Sequence, residues 1–547
     1  MGSEGRASLT PSRLLGLAVV LLSAAYLALI YRAASGGYFY VAEAVEILFY
    51  QDYGSFWDLL RSLDYYPPFY PSFLYLTYYA LELDYALIVA LNALFLVGGA
   101  VYVYLLARRE FGDVEAFVAF AVFIASVGGF LHFLTTVRDA PMVCFAPALV
   151  FHLNEFFRSE ASGKRKAAVV HIALAGLFAS LGLLTKWTFW IYVAVPVALL
   201  AIYNLRRLLG IGSGMWLTYA IAFAVPLVPT ALWYATAINW SAFFKTRLNE
   251  PIAPELYVDR FAEYARLVRM EHLGSLGVVL LVALFAVGIA GTLKSPRKVK
   301  HLLLLAGGAL FPMLVLASFK KLIEGRYLLP ILYLFALTAA WGLNAVKRSK
   351  LKAALSVAAL VLIAVNWAVT AARLDIPALR SRQVVFDWIK PQSARILDAI
   401  LKLDAVPGEG RIKVAVHPFC FDYHSELHNL QMAKIAHRRR YRRIRFAGYH
   451  KMEYNIFLEE VRRRSMDVIV MNQLCFADDY PSNIPDIGRE EKWYTASGEV
   501  ILLSSVYDPK EREILEAGYA PAASVEAGSE TVHIWLKATG GGTSARY

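Results

Sequence analysis

The sequence predicts a polytopic α-helical membrane protein of about eleven spans with a C-terminal extramembrane α/β domain. Of the 547 residues, 58% are hydrophobic and only 18% are charged, whereas soluble domains have about 25% charged and 45–50% apolar residues. Mean hydropathy is +0.49, and long apolar runs alternate with short basic connections. These values exclude an ordinary soluble enzyme, a disordered chain and a disulfide-stapled secreted domain.

The apolar runs define the predicted spans, since about 20 mainly apolar residues are needed to cross ~30 Å of hydrocarbon. The first run, 14–31, follows Arg6 and Arg13 and lacks a small-residue cleavage site. It is therefore predicted to be an uncleaved first helix and not a signal peptide. The other predicted spans are 85–106, 114–134, 140–157, 167–185, 189–204, 214–236, 273–292, 301–318, 327–345 and 352–372.

The basic connections predict the orientation of the spans. They are Arg108-Arg109, Arg158 with Lys164-Arg165-Lys166, Arg206-Arg207, Lys294 to Lys300 and Lys347 to Lys352. With the N-terminus in the cytoplasm, all of them fall on the cytoplasmic side, as the positive-inside rule requires. Topology therefore accounts for much of the net charge of +12, and no nucleic-acid partner is needed to explain it.

Residues 66–82 are apolar but are predicted not to cross the bilayer. The segment carries Pro67, Pro68 and Pro71 and is dense in tyrosine, which favours the headgroup level. Counting it as a span would place the later basic connections outside. We expect an interfacial helix at the outer face, within an external loop 32–84 of a transmembrane domain 1–374.

The composition changes after about residue 375, and residues 375–540 are predicted to form an external α/β domain. Short buried-strand patterns alternate there with a basic, helix-like stretch from Phe457 to Arg464. The predicted strands are 412–417, 467–472, 499–504 and 531–536. The Gly-rich residues 541–547 are predicted to be a flexible tail.

Charged residues at the outer ends of the spans are the first functional candidates. Arg138-Asp139 precedes the fourth span, Lys186 lies in a turn between two spans, and Arg326 precedes the tenth. Asp139 also fits a helix N-terminal acid favoured by the macrodipole, and Lys186 fits a snorkelling interfacial lysine. Because these cations run against the positive-inside trend, they indicate an anionic ligand such as a lipid phosphate.

Five motifs occur in an order that resembles the GT-C glycosyltransferases, in particular the protein-mannosyltransferase and lipid A aminoarabinose-transferase branch. They are the long first external loop, Tyr65-Tyr66-Pro67-Pro68-Phe69-Tyr70, Arg138-Asp139, Leu184-Thr185-Lys186 and Gly325-Arg326-Tyr327-Leu328-Leu329-Pro330. The resemblance covers about residues 14–345. It implies that a polyprenyl-phosphate sugar is bound in the outer leaflet and transferred to an acceptor in one inverting displacement.

The resemblance also implies roles for individual residues. Asp139 matches the second acidic position of the family and is expected to act in catalysis. Arg138, Lys186 and Arg326 are expected to bind the lipid phosphate, together with Tyr66, which stands where the family has a basic residue or histidine before Pro-Pro. Cations suit this role because a phosphate leaving group needs charge stabilisation.

One departure from the family concerns the acidic position after the first span, where this chain has Gly36-Gly37. Glu43 and Glu46 follow within two helical turns, and Glu43 is the predicted substitute base. Alternatively, both glutamates only solvate a juxtamembrane helix. The departure leaves three possibilities: a displaced base, an acceptor that needs little activation, or lost catalysis.

Other clusters carry less specific signals. The four histidines at 417, 424, 428 and 437 show no metal-site spacing. The arginines from Arg438 to Arg443 fit contact with anionic headgroups or an acidic glycan, and equally a solvated face. Cys420 and Cys475 each follow a predicted strand and would come together if the strands are parallel neighbours, which permits a disulfide.

The sequence thus predicts an integral glycosyltransferase of the plasma (inner) membrane, with its N-terminus cytoplasmic and its C-terminal domain external. It is expected to use a polyprenyl-phosphate sugar donor and a glycan, lipid or protein acceptor, with no cofactor and no metal. Membrane lipids and a partner subunit are further expected partners. Two alternatives are a catalytically inactive scaffold or lipid-binding subunit of a glycosylation complex, and a lipid or solute transporter.

Overall fold

The chain divides into two compact units in a computed structural model. One comprises Met1–Gly36, Arg61–Tyr70 and Asp84–Ile376, and the other Gly37–Leu60, Pro71–Leu83 and Pro377–Tyr547. The residues that the structure describes are 11–35, 67–81, 85–126, 139–236, 254–292, 299–318, 325–374, 392–403, 412–417, 432, 444–447, 454–472, 492–494, 500–502, 511–527 and 530–538.

The first unit is helical and follows the apolar runs of the sequence. After α1 (Pro11–Ser35) and the short α2 (Phe69–Leu74), which belongs to both units, its helices are α3 (Tyr85–Glu110), α4 (Asp113–Ile124), α5 (Ala140–Ala161), α6 (Arg165–Thr185), α7 (Phe189–Tyr203), α8 (Leu205–Gly210), α9 (Ser213–Ala224), α10 (Val228–Thr236), α11 (Pro254–Leu267), α12 (Gly274–Thr292), α13 (Val299–Leu302), α14 (Gly308–Ala317), α15 (Leu332–Asn344) and α16 (Ser349–Leu374).

Each of the eleven predicted spans overlaps one or more of these helices. Among the described residues, seven helical stretches are long and apolar enough to cross a membrane, and 189–203 and 303–317 are shorter apolar helices. The third predicted span begins with α4, and its second half lies largely outside the described residues. The prediction of a polytopic α-helical membrane protein is confirmed.

Several spans are irregular, with 3₁₀ segments at proline residues and short π-helical segments. A 3₁₀ turn, Val225–Leu227, separates α9 from α10 at Pro226, since proline lacks the N–H that an α-helix requires. A second 3₁₀ helix, Gly325–Ile331, contains Pro330 and leads into α15. Short π-helical segments, Val268–Leu273 and Leu303–Gly307, adjoin α12 and α14. The 3₁₀ helix before α15 carries Arg326, one of the predicted site residues.

Burial distinguishes the central from the peripheral spans. In α5 and in residues 326–344, 89% and 83% of the most apolar stretch is buried, against 11% for residues 213–236 and for α12. Exposed leucines and valines cover the peripheral helices, as expected of surfaces that face lipid hydrocarbon. The two central helical segments are those that begin at Asp139 and Arg326.

Within the predicted helical segment 66–82, residues 69–80 form a helix. α2 continues directly into a π-helix, Tyr75–Ala80. The Thr77 hydroxyl donates a hydrogen bond of 2.7 Å to the Phe73 carbonyl, one turn earlier. The position of this helix at the outer face of the membrane remains a prediction.

The described part of the second unit beyond residue 390 is an α/β fold. A five-stranded sheet has the order β2–β1–β3–β7–β6, with β1 parallel to β2 and β3, and β7 antiparallel to β3 and β6. Its strands are β1 (Ile412–Val416), β2 (Ile444–Ala447), β3 (Val468–Asn472), β6 (Tyr519–Ala527) and β7 (Glu530–Lys537), and β4 (Lys492–Tyr494) pairs separately with β5 (Val500–Leu502).

Helices α17 (392–401), α18 (Tyr454–Arg462) and α19 (Glu511–Gly518) accompany the sheet. Ile396, Phe457 and Leu515 pack into one core with the apolar residues of β1, β3 and β7. All four predicted strands and the predicted helix are present. β1 and β3 are parallel neighbours, the arrangement expected around Cys420 and Cys475, but both cysteines lie outside the described residues.

Candidate functional site

Three of the charged residues predicted to act together meet in the first unit. The Lys186 Nζ lies 2.7 Å from the Asp139 Oδ1, and the Arg326 Nε lies 4.0 Å from the Asp139 Oδ2. The Asp139 side chain is 1% exposed, against 23% for Lys186 and 20% for Arg326. A nearly buried carboxylate therefore lies between two cations that retain partial access to solvent or ligand.

Helix ends bring these residues together. Asp139 directly precedes α5, Lys186 lies in the turn between α6 and α7, and Arg326 lies in the 3₁₀ helix before α15. α5 packs against both α7 and this 3₁₀ helix. The three positions are distant in sequence but lie at one end of the helical bundle.

The side chain of Asp139 does not act as a helix cap. It makes no capping hydrogen bond, although its residue occupies the N-terminal position and Pro141 follows in the first turn. Its Oδ1 instead accepts a hydrogen bond from the Lys186 ammonium. Lys186, which the sequence alone also allows as a snorkelling interfacial lysine, thus has a nearly buried carboxylate as its partner.

An aromatic ring adjoins both cations. The Lys186 Nζ lies 4.5 Å from the centroid of the Tyr327 ring, and the Arg326 Cζ lies 5.5 Å from it, within the range of cation–π attraction. Tyr327 stands within one of the predicted motifs, but no role was predicted for it. Its position beside Arg326 was the available signal.

A second layer of polar residues surrounds the cluster. Tyr192 on α7 is fully buried and lies within electrostatic range of Asp139, Tyr264 and Tyr327. Arg260 is 9% exposed on α11, one turn before Tyr264, and α11 packs against the 3₁₀ helix of Arg326. Sequence reasoning missed Arg260 because it lies among other charges of an amphipathic helix.

The other predicted site residues, Glu43, Tyr66 and Arg138, lie outside the described residues, so their roles remain predictions. The histidines at 424, 428 and 437 also lie outside the described residues. His417 is buried against Phe457. Within the part of the chain that the structure describes, no group of three or more His, Cys, Asp or Glu residues is placed to hold a metal ion.

The arrangement suits an anion. Counted over Asp139, Lys186 and Arg326, the cluster carries one net positive charge, and the planar guanidinium matches the geometry of a phosphate. It lies at the ends of apolar helices. Fold and site together define an integral membrane protein with a buried, cation-rich polar site at the ends of its central helices.

The fold matches that of two solved structures of ArnT from Cupriavidus metallidurans. The apo structure aligns with a TM-score of 0.57 and 12% identity over 95% of this chain and 98% of that chain. The structure bound to undecaprenyl phosphate aligns with a TM-score of 0.53 and 13% identity over 94% and 97%. No protein-family model and no curated protein sequence matches. The resemblance predicted from the motifs is confirmed at the level of the fold.

Proposed function

We propose that this protein is a GT-C-type integral membrane glycosyltransferase that transfers a sugar from a polyprenyl-phosphate donor to an acceptor on the external face of the plasma (inner) membrane. The observation that carries the proposal is the cluster of Lys186 and Arg326 around the buried Asp139. The match in fold to ArnT, which has been crystallised with undecaprenyl phosphate, supports it.

In the proposed reaction, an acceptor hydroxyl, amine or phosphate oxygen attacks the anomeric carbon of the donor sugar. The bond between that carbon and the phosphate oxygen breaks, and the polyprenyl phosphate leaves with the bonding electrons. Lys186 and Arg326, with Arg138, stabilise the charge that develops on the leaving phosphate. The acceptor proton passes to a carboxylate base.

The contacts of Asp139 support a positioning role for it in this scheme. Its Oδ1 is occupied by the Lys186 ammonium at 2.7 Å, so it is better placed to hold the lysine than to accept a proton from the acceptor. We therefore propose that Asp139 orients the phosphate-binding cations and that Glu43 is the base.

The test is transfer of sugar from a radiolabelled polyprenyl-phosphate donor by the purified protein. Lys186→Gln should lower the transfer rate by about 10²-fold or more, the range for loss of a group that stabilises developing charge. Lys164→Gln is the matched control, because Lys164 is an exposed lysine just before α6, at the opposite end of that helix. Absence of transfer with a panel of donors, or equal rates for both variants, contradicts the proposal.

A non-catalytic lipid-binding subunit is the second candidate, and Gly36-Gly37 in the acidic position of the family favours it. It predicts that undecaprenyl phosphate binds to the purified wild type and binds more weakly to Lys186→Gln, although no donor supports transfer. Unchanged function after Glu43→Gln would further favour this candidate over the enzyme.

A further inference from the structure

A cavity lies at the opposite end of the helical bundle from Asp139. Its volume is about 190 Å³, far above the 10–15 Å³ or so that one water molecule requires. Asn154 on α5 lines it, 15 residues beyond Asp139, which corresponds to about 22 Å along the helix. The cavity is therefore separate from the candidate site and lies among the ends that carry the basic connections.

One wall of this cavity is a fixed polar cluster centred on Glu110, at the end of α3. Its Oε1 accepts hydrogen bonds from the Asn154 amide at 2.9 Å and from the Arg158 guanidinium at 2.8 Å. Its Oε2 lies 3.2 Å from the His301 Nε2. Arg158 also donates to the Arg109 carbonyl at 2.9 Å, so two hydrogen bonds hold its guanidinium against the end of α3.

The other walls are apolar and the rim is basic. Leucine, valine and phenylalanine side chains of α3, α5, α7 and α15 face the cavity, and Tyr203, Asn204 and Arg207 lie at its edge. Arg207 donates to the Asn204 Oδ1 at 3.1 Å. The two arginines and one glutamate of the lining carry a net charge of +1.

The rim continues into a surface suited to lipid. Tyr203 is 43% exposed, and Leu205 and Leu209 on the following α8 are 50% and 77% exposed. Exposed leucines interleaved with arginines are typical of a segment that lies at a membrane interface. A ligand entering here therefore meets hydrocarbon outside, a cation at the rim and a second cation on the polar wall.

We propose that this cavity binds the phosphate group of an anionic phospholipid from the leaflet next to the basic connections. Arg207 receives the phosphate at the rim and Arg158, held by Glu110, receives it inside, while the apolar walls contact the glycerol and the first acyl carbons. Arginine suits a phosphate because of its planar donors. This site is independent of glycosyl transfer.

The experiment measures lipid retention by the full-length protein in detergent, using native mass spectrometry with phosphatidylglycerol and phosphatidylcholine of identical acyl chains. We expect preferential retention of phosphatidylglycerol, weakened about tenfold or more by Arg207→Gln, the size expected for loss of one charge-assisted hydrogen bond. Arg206→Gln is the matched control, since Arg206 is its exposed neighbour and is not among the lining residues.

A second variant, Leu304→Trp, fills the cavity without changing its charge and should also reduce retention of phosphatidylglycerol. Equal retention of both lipids, equal effects of the two arginine variants, or full retention by Leu304→Trp would overturn the proposal. Displacement of the lipid by millimolar inorganic phosphate would assign the cavity to free phosphate and overturn the lipid assignment. Persistence of the lipid in inorganic phosphate supports the proposal.

Discussion

The Asp139 carboxylate shows how a buried charge becomes tolerable inside a membrane protein. Removing a carboxylate from water costs several kcal/mol, and the cost is offset only by a close and well-oriented cation. Lys186 supplies that cation at 2.7 Å, and Arg326 adds a second at 4.0 Å. The charges of the site therefore depend on one another, and removal of one member affects the others.

This dependence predicts that Lys186→Met destabilises the protein more than the double variant Asp139→Asn/Lys186→Met. The single change leaves Asp139 buried without its ammonium, at a cost of about 3 kcal/mol, whereas the double change removes both charges. The measurement is the thermal unfolding midpoint of each variant in the same detergent. If the double variant is as unstable as the sum of the two single variants, the ion pair makes no contribution.

At the residue scale, the sequence identified the charged members of the cluster but not their pairing. Asp139, Lys186 and Arg326 stood out because each is charged at the outer end of an apolar run. Lys186 has no acidic neighbour in sequence, and its partner lies 47 positions away. Arg260 lies among the other charges of an amphipathic helix, and the only local signal for Tyr327 is its position beside Arg326, so the packing of helix ends is needed to reveal their place near the cluster.

At the scale of elements, close contact between α3 and α5 positions the start of α5. A Cβ at Gly99 would lie 2.4 Å from the Val143 carbonyl oxygen, which is closer than real atoms approach. Val143 lies one turn after Asp139. Glycine at position 99 therefore permits the approach that fixes this end of α5, and with it the carboxylate of the candidate site.

Gly99→Ala is accordingly expected to destabilise the protein by about 1–3 kcal/mol, the usual cost of overpacking, and to lower binding of undecaprenyl phosphate. Gly16→Ala is the control, because nothing lies within 4 Å of a Cβ at that position on α1. Thermal unfolding and lipid retention would be measured on both. An unchanged Gly99→Ala protein would show that α3 and α5 separate without consequence for the site.

A strand could be predicted from the sequence only where its own residues favour a strand. β1 and β3 are continuous buried runs, IKVAV and VIVMN, and such runs indicate strands. β2 reads IRFA beside a dense arginine run, and β6 reads YAPAASVEA, with small residues and a proline. These strands have weak propensity of their own and are defined by pairing with β1 and β7. Long-range pairing is not visible in a local pattern.

At the scale of the whole molecule, hydropathy alone predicted the membrane-embedded architecture. Apolar periodicity was not needed to predict the spans, because these helices are apolar on most sides. Their outer faces can contact lipid hydrocarbon and need no polar residues. What hydropathy could not predict is which helices are central. α5 and the segment 326–344 are buried for most of their length, and this burial depends on long-range packing against other helices.

The orientation of the molecule is the last prediction, and it follows from the distribution of its charge. The turn between α5 and α6 lies among the basic connections, so we expect it to be cytoplasmic, with the second unit external. The measurement uses a variant in which Cys144, Cys420 and Cys475 are replaced, with one new cysteine at either Ser162 or Glu513, both exposed. In cells with an intact inner membrane and an outer membrane that the reagent can cross, a maleimide that does not cross the inner membrane should label Glu513→Cys.

Ser162→Cys should react only after the inner membrane is permeabilised, because the cytoplasmic position protects it. Labelling of Ser162→Cys in intact cells would place the basic connections outside, as expected if residues 66–82 cross the bilayer. Asp139 and Ser162 flank α5 at opposite ends, so an external Ser162 would put the cation cluster on the cytoplasmic side. A donor sugar presented in the outer leaflet would then be out of its reach, and the phospholipid cavity and the proposed transferase site would exchange leaflets.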